Sequence, residues 1–125
     1  MTSTATASFV LDKWEPQATD EAAGTEFARV AIAKTFTGAL EGTSRVELLA
    51  ASNATSRAYV AFERLDVSVD GRKGAFVLRH SADDSGLTLK ILTGSGSGEL
   101  TGISGTARIE IDEEKNHHFT LTYDL

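Results

Sequence analysis

Apolar and polar residues alternate along most of the chain with the two-residue period of β-strands, and helical spacing is rare. Short runs rich in β-branched and aromatic residues are separated by Gly, Asn, Asp and Ser. The pattern predicts an all-β fold with eight strands. We place these strands at residues 6–14, 26–36, 44–51, 57–69, 73–81, 87–93, 106–113 and 117–123.

The segments between the predicted strands are short and rich in turn-forming residues, so consecutive strands are expected to be antiparallel neighbours. Residues 15–25 contain Pro16 and Gly24 but few apolar residues, and we expect them to form a loop that covers one end of the fold. No amphipathic helix is predicted that could cover a sheet face. We therefore favour a single eight-stranded antiparallel β-barrel over residues 1–125, because closure removes exposed sheet edges.

The dipeptide Asp70-Gly71 determines which side chains share a face in the central hairpin. It is typical of a two-residue type I′ turn, which would pair Glu63 with Leu78. A four-residue loop would instead pair Glu63 with His80. In both registers one face carries Tyr59, Ala61, Glu63, Leu65, Phe76, Leu78 and His80.

That face is expected to point into the barrel, because the opposite face of the hairpin carries two arginines and an aspartate. Phe76 and Leu78 are therefore candidate ligand-binding residues of the interior. Tyr59, Glu63 and His80 would point into the same interior within side-chain reach of one another. A buried carboxylate needs a proton or a hydrogen-bonding partner.

Two interpretations of Tyr59, Glu63 and His80 stay open at this point. In the first, they form a polar network that fixes strand register. In the second, they line a small-molecule pocket as acid, base and hydrogen-bond donor. Two further residues are candidates for ligand binding. One is Glu47, although the length of the loop after its strand does not show whether it points inward. The other is Trp14, at the predicted end of the first strand. A residue such as Trp14 alternatively caps the core.

Composition and charge exclude several functional classes. The chain has 125 residues, no cysteine and a formal net charge of −6, so disulfides are excluded and nucleic acid and anionic membranes are not expected partners. No apolar run approaches the ~20 residues of a membrane span, and residues 1–8 lack the features of a signal peptide. We therefore expect a cytoplasmic protein.

Motifs for cofactors and metals are weak. The glycine-rich run at residues 94–99 lacks the Lys-Ser/Thr of a phosphate-binding loop and is expected to form a turn or bulge at the barrel rim. His117 and His118 are neighbours on a predicted strand, so they should project to opposite faces and cannot chelate one ion together. We expect neither a cofactor nor a metal site.

Five segments carry a resemblance to a known family. Residues 36–42 read Phe-Thr-Gly-Ala-Leu-Glu-Gly, and residues 59–63 read Tyr-Val-Ala-Phe-Glu. Residues 71–80 read Gly-Arg-Lys-Gly-Ala-Phe-Val-Leu-Arg-His, residues 94–105 are the glycine-rich segment, and Phe-Thr-Leu-Thr-Tyr closes the match at residues 119–123. Together they resemble the bacterial DUF3224 family over nearly the whole chain. The family is similar in fold to the allene oxide cyclase barrel, which implies eight antiparallel strands around an apolar cavity. Residues 81–84 depart from the family's pattern.

The resemblance and the three polar residues lead to our first functional hypothesis, a cofactor-free cyclase or isomerase that acts on an apolar small molecule. Glu63 or His80 would move a proton, and Tyr59 would stabilise developing negative charge on oxygen. The alternative is a non-catalytic binding protein for a hydrophobic small metabolite.

A third hypothesis is a structural or dimerisation module. Val60, Phe62 and Val77 lie on the nominal outer face of the predicted hairpin, and apolar residues that face water often mark self-association. A homodimer is therefore also a candidate assembly.

Overall fold

The computed structural model describes residues 2–125; Met1, the first residue of the predicted domain, lies outside the described residues. Within the described range no helix is long and apolar enough to cross a membrane. The strands are β1 (Thr2–Ala22), β2 (Thr25–Gly38), β3 (Leu40–Ser52), β4 (Arg57–Val69), β5 (Arg72–Asp83), β6 (Gly86–Ile91), β7 (Ser97–Gly98), β8 (Ser104–Ile111) and β9 (His117–Asp124).

Eight of the strands form a closed antiparallel barrel, as predicted. The ring runs β1, β2, β3, β4, β5, β6, β8, β9 and returns to β1. The two-residue strand β7 lies outside this ring and pairs with β5. Every hydrogen-bonded neighbour in the ring is antiparallel, which agrees with the short connections in the sequence.

The prediction of a loop at residues 15–25 is wrong, because β1 extends to Ala22 and β2 begins at Thr25, so the two strands form a hairpin there. Ala22 pairs with Thr25 across a tight turn at Ala23 and Gly24, whose φ angles of 52° and 83° are those of a type I′ turn. Pro16 is tolerated within β1 because β1 pairs with β9 only as far as Phe9. Beyond that residue β1 is an edge strand, where a missing N–H is tolerated.

The glycine-rich segment between β6 and β8 packs against the barrel. Leu100 and Ile103 of this segment are buried and belong to the main core. The backbone approaches β5 so closely that a Cβ on Gly74 would lie 2.1 Å from the carbonyl oxygen of Ser97, which only glycine avoids. The segment therefore forms part of the core in addition to turning the chain.

Two apolar clusters occupy the inner faces of the strands. The main cluster contains the largest buried rings, and Phe36 contacts both Phe9 and Phe119 with ring centroids 5.2 and 5.3 Å apart. The second cluster lies on the inner faces of β2, β3 and β4 and consists of Val30, Ile32, Val46, Leu48 and Ala61.

Candidate functional site

The central hairpin has the two-residue turn that the sequence predicts. Asp70 and Gly71 have φ angles of 49° and 85°, and Glu63 lies opposite Leu78. The side chains of Glu63 and His80 are buried, at 0% and 3% exposure, so this face does point into the barrel. The predicted assignment of inner and outer faces in β4 and β5 is confirmed.

Glu63 is at the centre of a buried polar network. His80 Nε2 lies 2.8 Å from Glu63 Oε1, and the hydroxyl of Ser44 donates to Glu63 Oε2 over 2.6 Å. Lys34 Nζ lies 3.4 Å from both carboxylate oxygens. Each oxygen of Glu63 is therefore engaged by two donor groups, and within residues 2–125 no buried side-chain nitrogen or oxygen lacks a partner.

Three donors keep the Glu63 carboxylate charged despite its burial. Burial alone would raise the pKa of Glu63, but the hydrogen bond from His80, the charge of Lys34 and the hydrogen bond from Ser44 together lower it below its ordinary value. An ionised carboxylate can only accept hydrogen bonds, so His80 carries its proton on Nε2. The Lys34 ammonium also lies 4.5 Å from the centre of the Phe9 ring, in a cation–π contact.

Sequence reasoning missed Lys34 and Ser44. Lys34 occupies the inward position between Ile32 and Phe36 on β2, so the alternation of that strand already placed a lysine in the apolar interior. Ser44 gives no comparable signal, because serine is mostly exposed in folded proteins and its presence in a strand does not predict an inward position.

The remaining predicted residues of the interior have different positions. Tyr59 is half-buried, and burial and the negative charge of Glu63 raise its pKa, but it forms no hydrogen bond with Glu63 or His80 in the described part of the chain. Phe76 and Leu78 are fully buried and pack within the main apolar cluster. The geometry therefore joins Glu63 to His80 and leaves Tyr59 outside the network.

Trp14 and Glu47 both have exposed side chains. The prediction that Trp14 ends the first strand is wrong, because β1 continues to Ala22. Trp14 pairs with the inward residue Ile32, beyond the part of β1 that pairs with β9, and its side chain is 58% exposed. Glu47 is exposed on the outer face, because its register partner on β4 is Phe62, which also points outward. Cross-strand partners share a face, and this pairing fixes the orientation that the loop before β4 had left ambiguous.

Two adjoining hollows, of about 710 and 1050 Å³, lie on the outer face of the barrel over β2 to β5 and reach residues of β1 and β6 at their sides. Three transverse rows of outward side chains line them: Ala33–Arg45–Arg64–Val77, Ala31–Glu47–Phe62–Arg79 and Arg29–Leu49–Val60–Ser81. Both hollows are lined by the middle row, except that Arg79 borders only the larger one. We call the two hollows together the outer groove. The small side chains of Ala31 and Ala33 lie between longer neighbours, which leaves the surface concave.

The outer groove exposes apolar side chains to water. Leu49, Val60 and Phe62 are each more than half exposed, and they are neighbours on β3 and β4. The prediction that Val60 and Phe62 face outward is therefore confirmed. His80 also borders the larger hollow, although its side chain is buried on the inner face of β5.

The two consecutive histidines of β9 have separate environments. The ring of His117 contacts that of Phe9, with centroids 4.9 Å apart and a tilt of 33°, whereas His118 donates to Asp112 over 2.8 Å. Within residues 2–125 no group of three or more His, Asp or Glu side chains is arranged to hold a metal ion.

A protein family and a solved structure are similar to this chain. The family model described as "Protein of unknown function (DUF3224)" matches residues 5–123. The chain belongs to the DUF3224 family. A DUF3224 protein of unknown function from Shewanella oneidensis MR-1 has a similar crystal structure, with 34% sequence identity and a TM-score of 0.93, over 100% of this chain and 98% of that one. No protein with curated annotation matches the chain.

Proposed function

We propose that this DUF3224 protein is a non-catalytic binding protein for a small, largely apolar molecule, and that the molecule lies in the outer groove. The observation that carries the proposal is the contiguous exposure of Leu49, Val60 and Phe62 in a hollow of about 1050 Å³. Small-molecule sites typically occupy several hundred to about 1,000 Å³ and combine apolar walls with a few polar groups. Exposed apolar side chains that are contiguous usually mark a binding surface.

The interior network supports this choice over the cyclase or isomerase hypothesis. A general base needs a free lone pair within reach of substrate, and both oxygens of Glu63 already accept from His80, Ser44 and Lys34. A lysine and a glutamate buried as a hydrogen-bonded pair are well suited to holding strand register. A catalytic role for Glu63, His80 and Tyr59, and the allene oxide cyclase likeness, stay predictions without a further observation in their favour.

The proposal is tested by titrating the protein with 1-octanol and following backbone amide chemical shifts. The wild type should show saturable shifts at residues of the outer groove, and Phe62→Ser should lose them. Ile111→Ser is the matched control, because Ile111 is similarly exposed but lies on β8, outside the groove. The proposal fails if the wild type shows no saturable shifts, or if Phe62→Ser binds as well as the control.

A further inference from the structure

Two arginines face each other in the outer groove. Arg45 and Arg64 are direct cross-strand partners on β3 and β4, and both line the smaller hollow. Neither forms an ion pair with another side chain in residues 2–125. Like charges directly opposite each other on one sheet face destabilise the pair, so this arrangement favours an anion from outside the chain.

The charge of the whole groove has the opposite sign to that of the chain. Five cationic side chains line the two hollows, namely one lysine and four arginines, and only two carboxylates do. His80 also borders the larger hollow, but its side chain faces inward. Lys13 and Glu15 neutralise each other at 3.5 Å, which leaves four arginines with Glu47 alone. The chain as a whole carries −6. A surface with this surplus attracts anions, although the rest of the protein repels them.

Glu47 limits where an anionic group can lie within the groove. Glu47 stands opposite Phe62 in the middle row, so its negative charge repels an anion from the centre of the groove. The row that contains Arg45 and Arg64 has no carboxylate of its own, and it lies between the row of Glu47 and the row of Asp66, which is the outward partner of Thr43. Two guanidinium groups side by side offer planar forks of donors, which match a carboxylate better than point charges do.

From this geometry, and resting on the proposed function, we infer that the ligand is a single-chain amphipathic carboxylate. Its carboxylate lies between Arg45 and Arg64, and its apolar chain runs along the strands over Phe62 to Leu49 and Val60. Arg45 and Leu49 are four residues apart on β3, which corresponds to roughly 13 Å of extended strand. This length suits a medium-length acyl chain.

The inference is tested by comparing octanoate with 1-octanol, which share an apolar chain and differ in the charged group. At neutral pH the wild type should bind octanoate about tenfold more tightly than octanol, since charge-assisted hydrogen bonds to guanidinium are strong. Arg45→Gln and Arg64→Gln should each remove most of that preference and leave octanol binding unchanged. Arg108→Gln, which changes an exposed arginine on β8, is the control and should behave as the wild type.

The outcomes separate the inference from the proposed function. If octanol binds but octanoate binds no tighter, or if both arginine variants keep the preference, the carboxylate assignment is overturned and the binding function stands. If octanol does not bind to the groove, the proposed function itself is overturned. If sedimentation shows a wild-type dimer that Phe62→Ser converts to a monomer, the groove is an interface between two copies, and the inference is overturned.

Discussion

Arg45 and Arg64 are opposite each other on neighbouring strands, and both side chains point away from the barrel. This pair shows that charged side chains are arranged differently on the inner and outer faces of the sheet. Two residues further along each strand pair, the outward partners are Glu47 and Phe62. On the inner face, Lys34, Glu63 and His80 form a charged network whose members pair with one another, whereas Arg45 and Arg64 on the outer face form no salt bridge within residues 2–125.

The first prediction concerns the stability of the unliganded protein. Replacing Arg45 by Glu should increase the free energy of unfolding by about 0.2–1 kcal/mol, because a like-charge cross-strand pair becomes an attractive one. Urea denaturation of the wild type and Arg45→Glu measures this change. Arg57→Glu is the control, because it changes the net charge by the same amount. Arg57 lies opposite the uncharged Ser52, so this substitution should not stabilise the protein. Arg45→Glu with no gain in stability over the wild type, or with no larger gain than Arg57→Glu, would contradict the prediction.

A second prediction concerns Glu63. Glu63→Gln removes the counter-ion of the buried Lys34 and should lower the free energy of unfolding by about 3–5 kcal/mol, as breaking a buried ion pair does. Ser44→Ala removes a single donor to the same carboxylate and should cost less. Chemical denaturation of the two variants at neutral pH gives both values. Equal stability of Glu63→Gln and the wild type would show that the network does not stabilise the barrel.

The same residue predicts a pH dependence. The pKa of Glu63 is lower in the folded protein than its ordinary value of 4.5. Its contribution to stability is therefore fully present above pH 4.5 and is lost as the pH falls through the folded pKa. In Glu63→Gln the fall in stability on the acid side should be shallower than in the wild type. Parallel curves would contradict the lowered pKa.

A fourth prediction concerns Asp112 in the tip of the β8–β9 hairpin. The hydrogen bond from the His118 side chain, helped by the backbone N–H of Asn116, lowers the pKa of Asp112 to about 2. His118→Gln should therefore raise the midpoint of the Asp112 carboxyl, measured by carbon NMR titration, towards its ordinary value of 3.8. His117→Gln serves as the control, because His117 contacts Phe9 instead. An unchanged midpoint in His118→Gln would refute the role of this hydrogen bond.

A fifth prediction concerns the glycine-rich segment as part of the core. Leu100 is fully buried, so Leu100→Ala should lower the free energy of unfolding by about 2–5 kcal/mol. Leu92→Ala, at a leucine that is 45% exposed, should cost much less. Thermal or urea unfolding compares the two. Similar losses in both variants would mean that the segment is not packed against the barrel as described.

Much of the fold could be predicted from the sequence, because local turn chemistry determines register in the central hairpin. Asp70-Gly71 supplies the two positive φ values of a tight turn, and from it the inward positions of Glu63 and His80 follow by counting. The β1–β2 hairpin could not be predicted in this way. Its turn at Ala23 and Gly24 lacks the Asn or Asp that normally marks such a turn, and Pro16 suggested a break.

Only part of the candidate site could be predicted from the sequence. The carboxylate and imidazole of the interior were found, but a hydrophobic pattern cannot show that three donors surround Glu63. The outer groove depends on the register between β3 and β4, which the four residues between Ser52 and Arg57 determine. Once that register is known, Arg45 and Arg64 become neighbours although 18 residues separate them in the chain.

The most direct test of the account is a crystal structure of the protein with octanoate bound. We predict that the carboxylate contacts Arg45 and Arg64 and that the alkyl chain covers Phe62 on the outside of the barrel. Octanoate inside the barrel, beside Glu63 and His80, would contradict this account and favour the interior site instead.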